Sequence, residues 1–209
     1  MAITGVGRDH AERVATAVLS SLPDICISAG LAGSLAQMHS VGDLLAASTV
    51  VSSCESAVLT SDVRLLDLAA SCGARRVPAF VTSASVALTA GEKRRLAAVA
   101  EAVETESYGV LKAANNLGIP AVAIRAVSDE VDEDLPLDFN RVTDAQGHLS
   151  KSKLFSLLAG RPHRIPALVR LGRSSRRAAD RLAGFLDAYV GVLAGQSLRT
   201  TTLSEVAAG

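Results

Sequence analysis

The chain has 209 residues, 49% hydrophobic and only 3% aromatic, and its 21 Lys and Arg balance 21 Asp and Glu for a formal net charge of zero. That length allows one domain with a sizeable core. The core must be built from Ala, Val, Leu and Ile, a palette that suits an α/β domain with parallel strands buried on both faces. The neutral balance lacks the basic surface that nucleic-acid binding needs, and no apolar run approaches the ~20 residues of a membrane helix.

The elements are predicted in chain order as follows. Ala2–Thr4 reads as the end of a strand, Gly5-Val-Gly7 as a turn, and Arg8–Leu22 as a helix with Ala11, Val14, Ala15, Val18 and Leu19 on one face, broken by Pro23. Asp24–Ser28 is a short buried strand carrying Cys26 as a small buried thiol, and "AGLAGSL" at 29–35 is a Gly-rich turn. Leu44–Ser52 is a strand, residues 60–74 a helix, and 77–88 a strand. Thr89 caps the next helix with Glu92 as its capping-box partner. Ala102-Val103 is a short strand, Glu106–Leu117 a helix stopped by Gly118, and Pro120–Val127 a strongly apolar strand. After the acidic loop Asp129–Gln146, helices are expected at Ser152–Leu158, Pro166–Ser174 and Ser175–Leu193, separated by Pro162 and Pro166. We read one domain over 1–195 and a fraying tail over 196–209.

Cys26, Cys54 and Cys72 show no metal-like or redox-like spacing. An odd count without a signal peptide predicts a reducing, cytoplasmic setting. The four histidines, His10, His39, His148 and His163, read as surface residues.

The candidate chemistry lies in glycines and acids. Glycines after a strand let a backbone approach a ligand closely, or simply make a tight turn. "GVGRDHA" lacks the third glycine of a dinucleotide fingerprint. Glu104 and Glu106, two apart at a strand-to-helix junction, share a face on an extended backbone; alternatively they complement the helix N-terminus. Asp129 follows a buried strand, where an active site of an open α/β sheet sits; the alternative is an N-cap or loop carboxylate. Arg125, inside that strand, needs a carboxylate, and Glu104 is the candidate.

Together "TGVGRDHA" (4–11), "ISAGLAGSL" (27–35), "VGDLL" (41–45), "VETES" (103–107) and "GIPAVAIRAVSDEVDE" (118–133) resemble the nucleoside phosphorylase and nucleosidase family over residues 2–133. The resemblance implies a three-layer αβα fold with a mixed, mostly parallel central sheet, no cofactor or metal, and a homodimer or larger homo-oligomer. It puts Asp129 as the general acid at the base nitrogen, which requires shielding from water to hold a proton. It puts Glu106 and Thr105 at the ribose, Val86 and Ser128 at the base, and Gly30, Leu31 and Gly33 at the sugar and nucleophile. The segment 154–186 is similar to the hopanoid-associated branch, which implies adenine release from an adenosyl-lipid. Arg170, Arg173, Arg176, Arg177 and Arg181 there form a basic face, read as solvated, with a membrane surface as the alternative.

Three departures from the family pattern matter. Phosphorylases of the hexameric type carry Arg at the position of Ser28 and Ser or Thr at that of Leu31 to bind phosphate. Their loss favours water as nucleophile, since a buried dianion without a cation is costly. Thr105 replaces a Met that packs on the ribose. The match also begins late: family members carry a further strand and several tens of residues, including the acid that activates water, before the equivalent of "TGVG". The expected function is a nucleosidase releasing a purine from an adenosine-type nucleoside. A phosphorylase using inorganic phosphate and a nucleoside-binding protein without catalysis are the alternatives.

Overall fold

A computed structural model describes residues 1–141 and 162–207, with side chains described through 141 and from 163 to 195. The strands are β1 (Cys26–Ser34), β2 (Leu44–Ser52), β3 (Val58–Thr60), β4 (Arg75–Thr82), β5 (Ala102–Glu104) and β6 (Ala121–Asp129). The helices are α1 (Arg8–Leu19), α2 (Val63–Ser71), α3 (Ala90–Leu96), α4 (Ser107–Asn116) and α5 (Ile165–Ala207).

One sheet runs in the order β3-β2-β4-β5-β1-β6, and β6 also pairs with β2, so the ladder returns on itself. Its two longest ladders, β1 with β6 and β2 with β4, are parallel; β1–β5, β2–β3 and β2–β6 are antiparallel. β6 is buried at every residue, Arg125, Ser128 and Asp129 included, as expected of a strongly apolar strand with neighbours on both sides.

Helices cover both faces. On one, Ala11, Ala15 and Leu19 of α1 meet Tyr108, Leu111 and Ala114 of α4 over β1 and β6. On the other, Leu65, Leu66 and Ala69 of α2 meet α5. Helix α5 presents Ala178, Leu182, Phe185 and Tyr189, a stripe at three- and four-residue spacing. Phe185 and Tyr189 stack with centroids 5.5 Å apart, and the Tyr189 hydroxyl donates to the Leu65 carbonyl (2.8 Å), tying α5 to α2.

The crossing of α1 and α4 depends on Gly109. A β-carbon there would lie 2.4 Å from the Arg8 carbonyl oxygen and 3.0 Å from the Glu12 nitrogen, both backbone atoms that cannot rotate away. Gly109→Ala should therefore destabilise the fold by about 1–3 kcal/mol, as overpacking does. At about 2–4 °C per kcal/mol for a chain of this size, calorimetry would register it; an unchanged melting temperature would contradict the close packing.

Several expectations need correction. Ala2–Thr4 forms no strand. The Gly-rich stretch is not a turn after a short strand: β1 continues through it to Ser34, because both β6 and β5 offer it backbone partners. Residues 60–74 begin as strand β3, and α2 starts only at Val63, capped by Asp62. The strand expected over 77–88 ends at Thr82, whose hydroxyl turns to Glu104. The helices expected at Pro166–Ser174 and Ser175–Leu193 are one, running from Ile165 to Ala207, with Pro166 in its first turn, where its missing N–H breaks no hydrogen bond. His39 is buried rather than on the surface, with Nε2 2.7 Å from Glu101 Oε2. His163 is exposed, and Ser152–Leu158 and His148 lie outside the described residues.

The capping box of α3 is as read: Thr89 Oγ1 accepts from the Glu92 N–H, and Glu92 Oε2 accepts from the Thr89 N–H. Cys26 is buried, which pushes its thiol up to about 11. Among the described residues no helix is long and apolar enough to cross a membrane.

Candidate active site

Glu104 closes β5 and does two structural jobs at once. Its Oε2 accepts from the backbone N–H of Glu106 (2.9 Å) and Ser107 (2.6 Å), so it caps α4 from outside the helix. The same oxygen pairs with Arg125 Nη2 at 2.7 Å, both side chains almost wholly buried. Burial alone would raise the Glu104 carboxyl, but the Arg125 charge and the hydrogen bonds from Thr82, Ser107 and Glu106 outweigh it and hold the group below its usual range. The expected Arg125–Glu104 pair is thus present. Arg125 also donates from Nη1 to the Ser28 and Ile124 carbonyls and from Nη2 to Ser28 Oγ. Its Nε finds no partner among the described residues.

Glu106 takes the N-cap position of α4 without capping it. One of its oxygens, Oε1, accepts from the Gly7 N–H (3.1 Å) and from the Thr105 hydroxyl. Gly7 donates from a backbone with φ 108°, a conformation that glycine adopts at little cost. Burial, and then the negative charge of Glu104, push the Glu106 carboxyl above its usual range. The two glutamates have opposite environments. Glu104 is fully engaged, whereas the second oxygen of Glu106, Oε2, accepts no hydrogen bond among the described residues.

Asp129 is the last residue of β6, not a loop residue after it. Parallel pairing of β1 and β6 slips by one residue between Ala32 and Gly33, which brings Gly33 opposite Asp129. A β-carbon on Gly33 would stand 2.9 Å from Asp129 Oδ2, so the missing side chain makes room for the carboxylate. Asp129 Oδ1 accepts from Ser128 Oγ (2.7 Å), and Oδ2 lies 2.5 Å from Lys93 Nζ. The carboxyl is buried, as expected, but its surroundings are not purely apolar: an ammonium group faces it.

These groups meet at one cavity of about 850 Å³, a volume that suits a small ligand. Glu104, Thr105, Glu106, Arg125, Ser128 and Asp129 supply its polar wall. Gly30, Leu31, Gly33 and Val86 also line it, so every residue proposed from the sequence reaches the same space. Val86 is fixed there by Asn140, whose Oδ1 accepts from the Val86 N–H at 2.8 Å. An apolar annex adds Val14, Val18, Leu182 and Leu186. Among the described residues no group of three or more His, Cys, Asp and Glu could hold a metal ion.

Lys93 escaped the sequence reading. In "GEKRRL" it looks like one of three solvated cations, yet it is fully buried. The signal was present: the capping box fixes the start of α3, and Ala90, Lys93 and Leu96 then fall three apart on one stripe.

The closed, mixed sheet between helical layers is a fold shared with solved nucleosidase structures. The chain is similar to the 5′-methylthioadenosine/S-adenosylhomocysteine nucleosidase of Helicobacter pylori in complex with butyl-thio-DADMe-Immucillin-A, with a TM-score of 0.68 and 18% identity over 90% of this chain and 77% of that one. It is similar in the same way to the corresponding enzyme of Neisseria meningitidis with methylthio-immucillin-A (0.66; 19%; 90% and 78%) and to futalosine hydrolase of Helicobacter pylori (0.62; 17%; 88% and 77%). No protein-family model matches the sequence, and no curated protein does.

Proposed function

We propose that the chain is a nucleosidase that hydrolyses the N-glycosidic bond of a purine nucleoside of the adenosine type and releases the base. The observation that carries this reading is the convergence of Glu106, just after β5, and Asp129, at the end of β6, on one cavity, with β5 and β6 both paired to β1. The likeness in fold to enzymes named as nucleosidases supports it. Breaking the bond leaves a cationic sugar and an anionic purine. Glu106 accepts hydrogen bonds from the ribose hydroxyls and its charge stabilises the sugar; Asp129 passes a proton to the departing base nitrogen. Thr105 lies against the ribose, Ser128 and Val86 against the base, and Gly30, Leu31 and Gly33 line the side from which the nucleophile approaches.

Water rather than phosphate is the nucleophile in this reading. Arg125 is the single Arg or Lys among the described residues lining the cavity, and Glu104 already neutralises it. A phosphate dianion would meet one unpartnered Nε–H and no free charge. The annex of Val14, Val18, Leu182 and Leu186 supports an apolar 5′ substituent on the sugar. A neighbouring subunit that closes the sugar pocket belongs to the same reading.

Chromatographic detection of free adenine from methylthioadenosine, adenosine and a 5′-alkyl adenosine tests it. Adenine should appear at the same rate with and without phosphate, and fastest from the substrates with an apolar 5′ group. Release only with phosphate would make the protein a phosphorylase. No release under any condition would leave a nucleoside-binding protein.

A further inference from the structure

We infer that Lys93 is the proton reservoir for the departing base, acting through Asp129 without touching the substrate. This rests on the nucleosidase reading and goes beyond it, because it says where the proton on Asp129 comes from. Lys93 has no solvent exposure and does not line the cavity; Asp129 stands between it and the ligand space.

An ammonium group has three N–H donors, and each has an acceptor here: Asp129 Oδ2 at 2.5 Å, the Glu130 carbonyl at 2.6 Å and the Glu133 carbonyl at 3.0 Å. One donor therefore points at the catalytic acid and two at backbone that cannot take a proton. Both carbonyls belong to the acidic loop after β6. That loop is fastened to α3 a second time, by the Ala90 N–H donating to Asp134 Oδ1 at 2.8 Å. The capping box of α3 then fixes Lys93 relative to Asp129. Gly33 leaves space for the Asp129 carboxylate of this pair, since a β-carbon there would approach Asp129 Oδ2 to 2.9 Å. A buried Lys held this completely is pre-organised for one direction of proton transfer.

Before cleavage Lys93 is an ammonium ion and Asp129 a carboxylate. As the C1′–N9 bond breaks, its electron pair goes to the purine. Lys93 Nζ passes a proton to Asp129 Oδ2, and Asp129 passes it on to the departing purine. Lys93 is left as a neutral amine, still held by its two N–H bonds to the Glu130 and Glu133 carbonyls, and Asp129 is again a carboxylate. Water adds to C1′ as hydroxyl. The proton it gives up enters solvent, and Lys93 recovers one from solvent when the products leave. No oxidant, reductant or metal is required.

The test compares two leaving groups in the full chain: adenine from methylthioadenosine, and nitrophenolate from 4-nitrophenyl riboside, which departs without being protonated. Lys93→Met removes the proton. Its kcat for adenine release should fall about 10²- to 10⁴-fold, the usual contribution of general acid catalysis, while nitrophenolate release and KM stay within about threefold of wild type. Lys93→Arg keeps the buried positive charge and its pairing with Asp129, but a guanidinium does not deprotonate in proteins. It should show the same split, and it answers the question even where Lys93→Met does not fold. If either folded variant keeps adenine release within threefold, or loses both leaving groups alike, Lys93 is structural and the inference is overturned. Absence of adenine release from the wild-type chain would instead overturn the nucleosidase reading itself.

Discussion

Asp129→Asn is expected to abolish most adenine release while leaving nucleoside binding within a few-fold of wild type. The amide keeps the shape of the carboxyl but cannot pass a proton on, so kcat should drop about 10²- to 10⁴-fold with little change in KM. The substitution also has a folding consequence. Asp129 supplies the counter-charge for the fully buried Lys93. Removing one partner of such a pair costs about 3–5 kcal/mol, because the other charge stays buried and uncompensated. The variant should therefore melt well below the wild type, and its kinetics belong at a temperature where it is folded. Calorimetry and titration with a nucleoside that resists cleavage separate lost chemistry from lost structure. If the Asp129→Asn variant binds and turns over like the wild type, Asp129 has no part in the mechanism.

Glu106→Gln should lower kcat/KM about 10²- to 10³-fold through both kcat and KM, as expected when a pre-organised charge facing a developing cation is neutralised. Its effect on stability should have the opposite sign. Burial, and then repulsion from Glu104, raise the Glu106 carboxyl above its usual range. A raised carboxyl means that the fold prefers the protonated form, so the ionised group at neutral pH costs stability. A neutral Gln relieves that cost, and the variant should melt at or above the wild-type temperature while losing activity. Such an exchange of stability for function is common at strained sites.

The same shift has a kinetic sign. The ionised form is the one that accepts the ribose hydroxyls, so wild-type kcat/KM should fall as pH drops through a value above the ~4.3 of an ordinary glutamate. In Glu106→Gln that limb should disappear. Unaltered kcat/KM in the variant would place the ribose elsewhere.

Much of the site could be read from the chain because its parts are local. Glu104, Thr105 and Glu106 are neighbours at a strand-to-helix junction, and their spacing alone brings them to one cavity wall. Asp129 ends a run of apolar residues so continuous that only a central strand could bury it. Thr89 and Glu92 are three apart, and a capping box needs nothing more. Composition likewise fixed an α/β core with hardly any aromatic rings.

What tertiary structure decided depends on partners far apart in sequence. The Gly-rich stretch became strand instead of turn because β6 and β5 present backbone groups to it, roughly 70 to 95 residues further along. The sequence offers Glu104 as the partner of Arg125 and Glu106 as the ribose acceptor, and distant groups realise that difference. Arg125 commits the first to structure, and the Gly7 N–H holds one oxygen of the second, whose other oxygen accepts no hydrogen bond among the described residues. The sequence reads His39 as a surface residue and does not single out Lys93, yet each is buried against one carboxylate, Glu101 and Asp129. A sequence displays the charge of a side chain but not the low-dielectric place in which that charge must find its partner. Local chemistry thus determined which residues form the site, and long-range packing determined which of them remain free to act on a ligand.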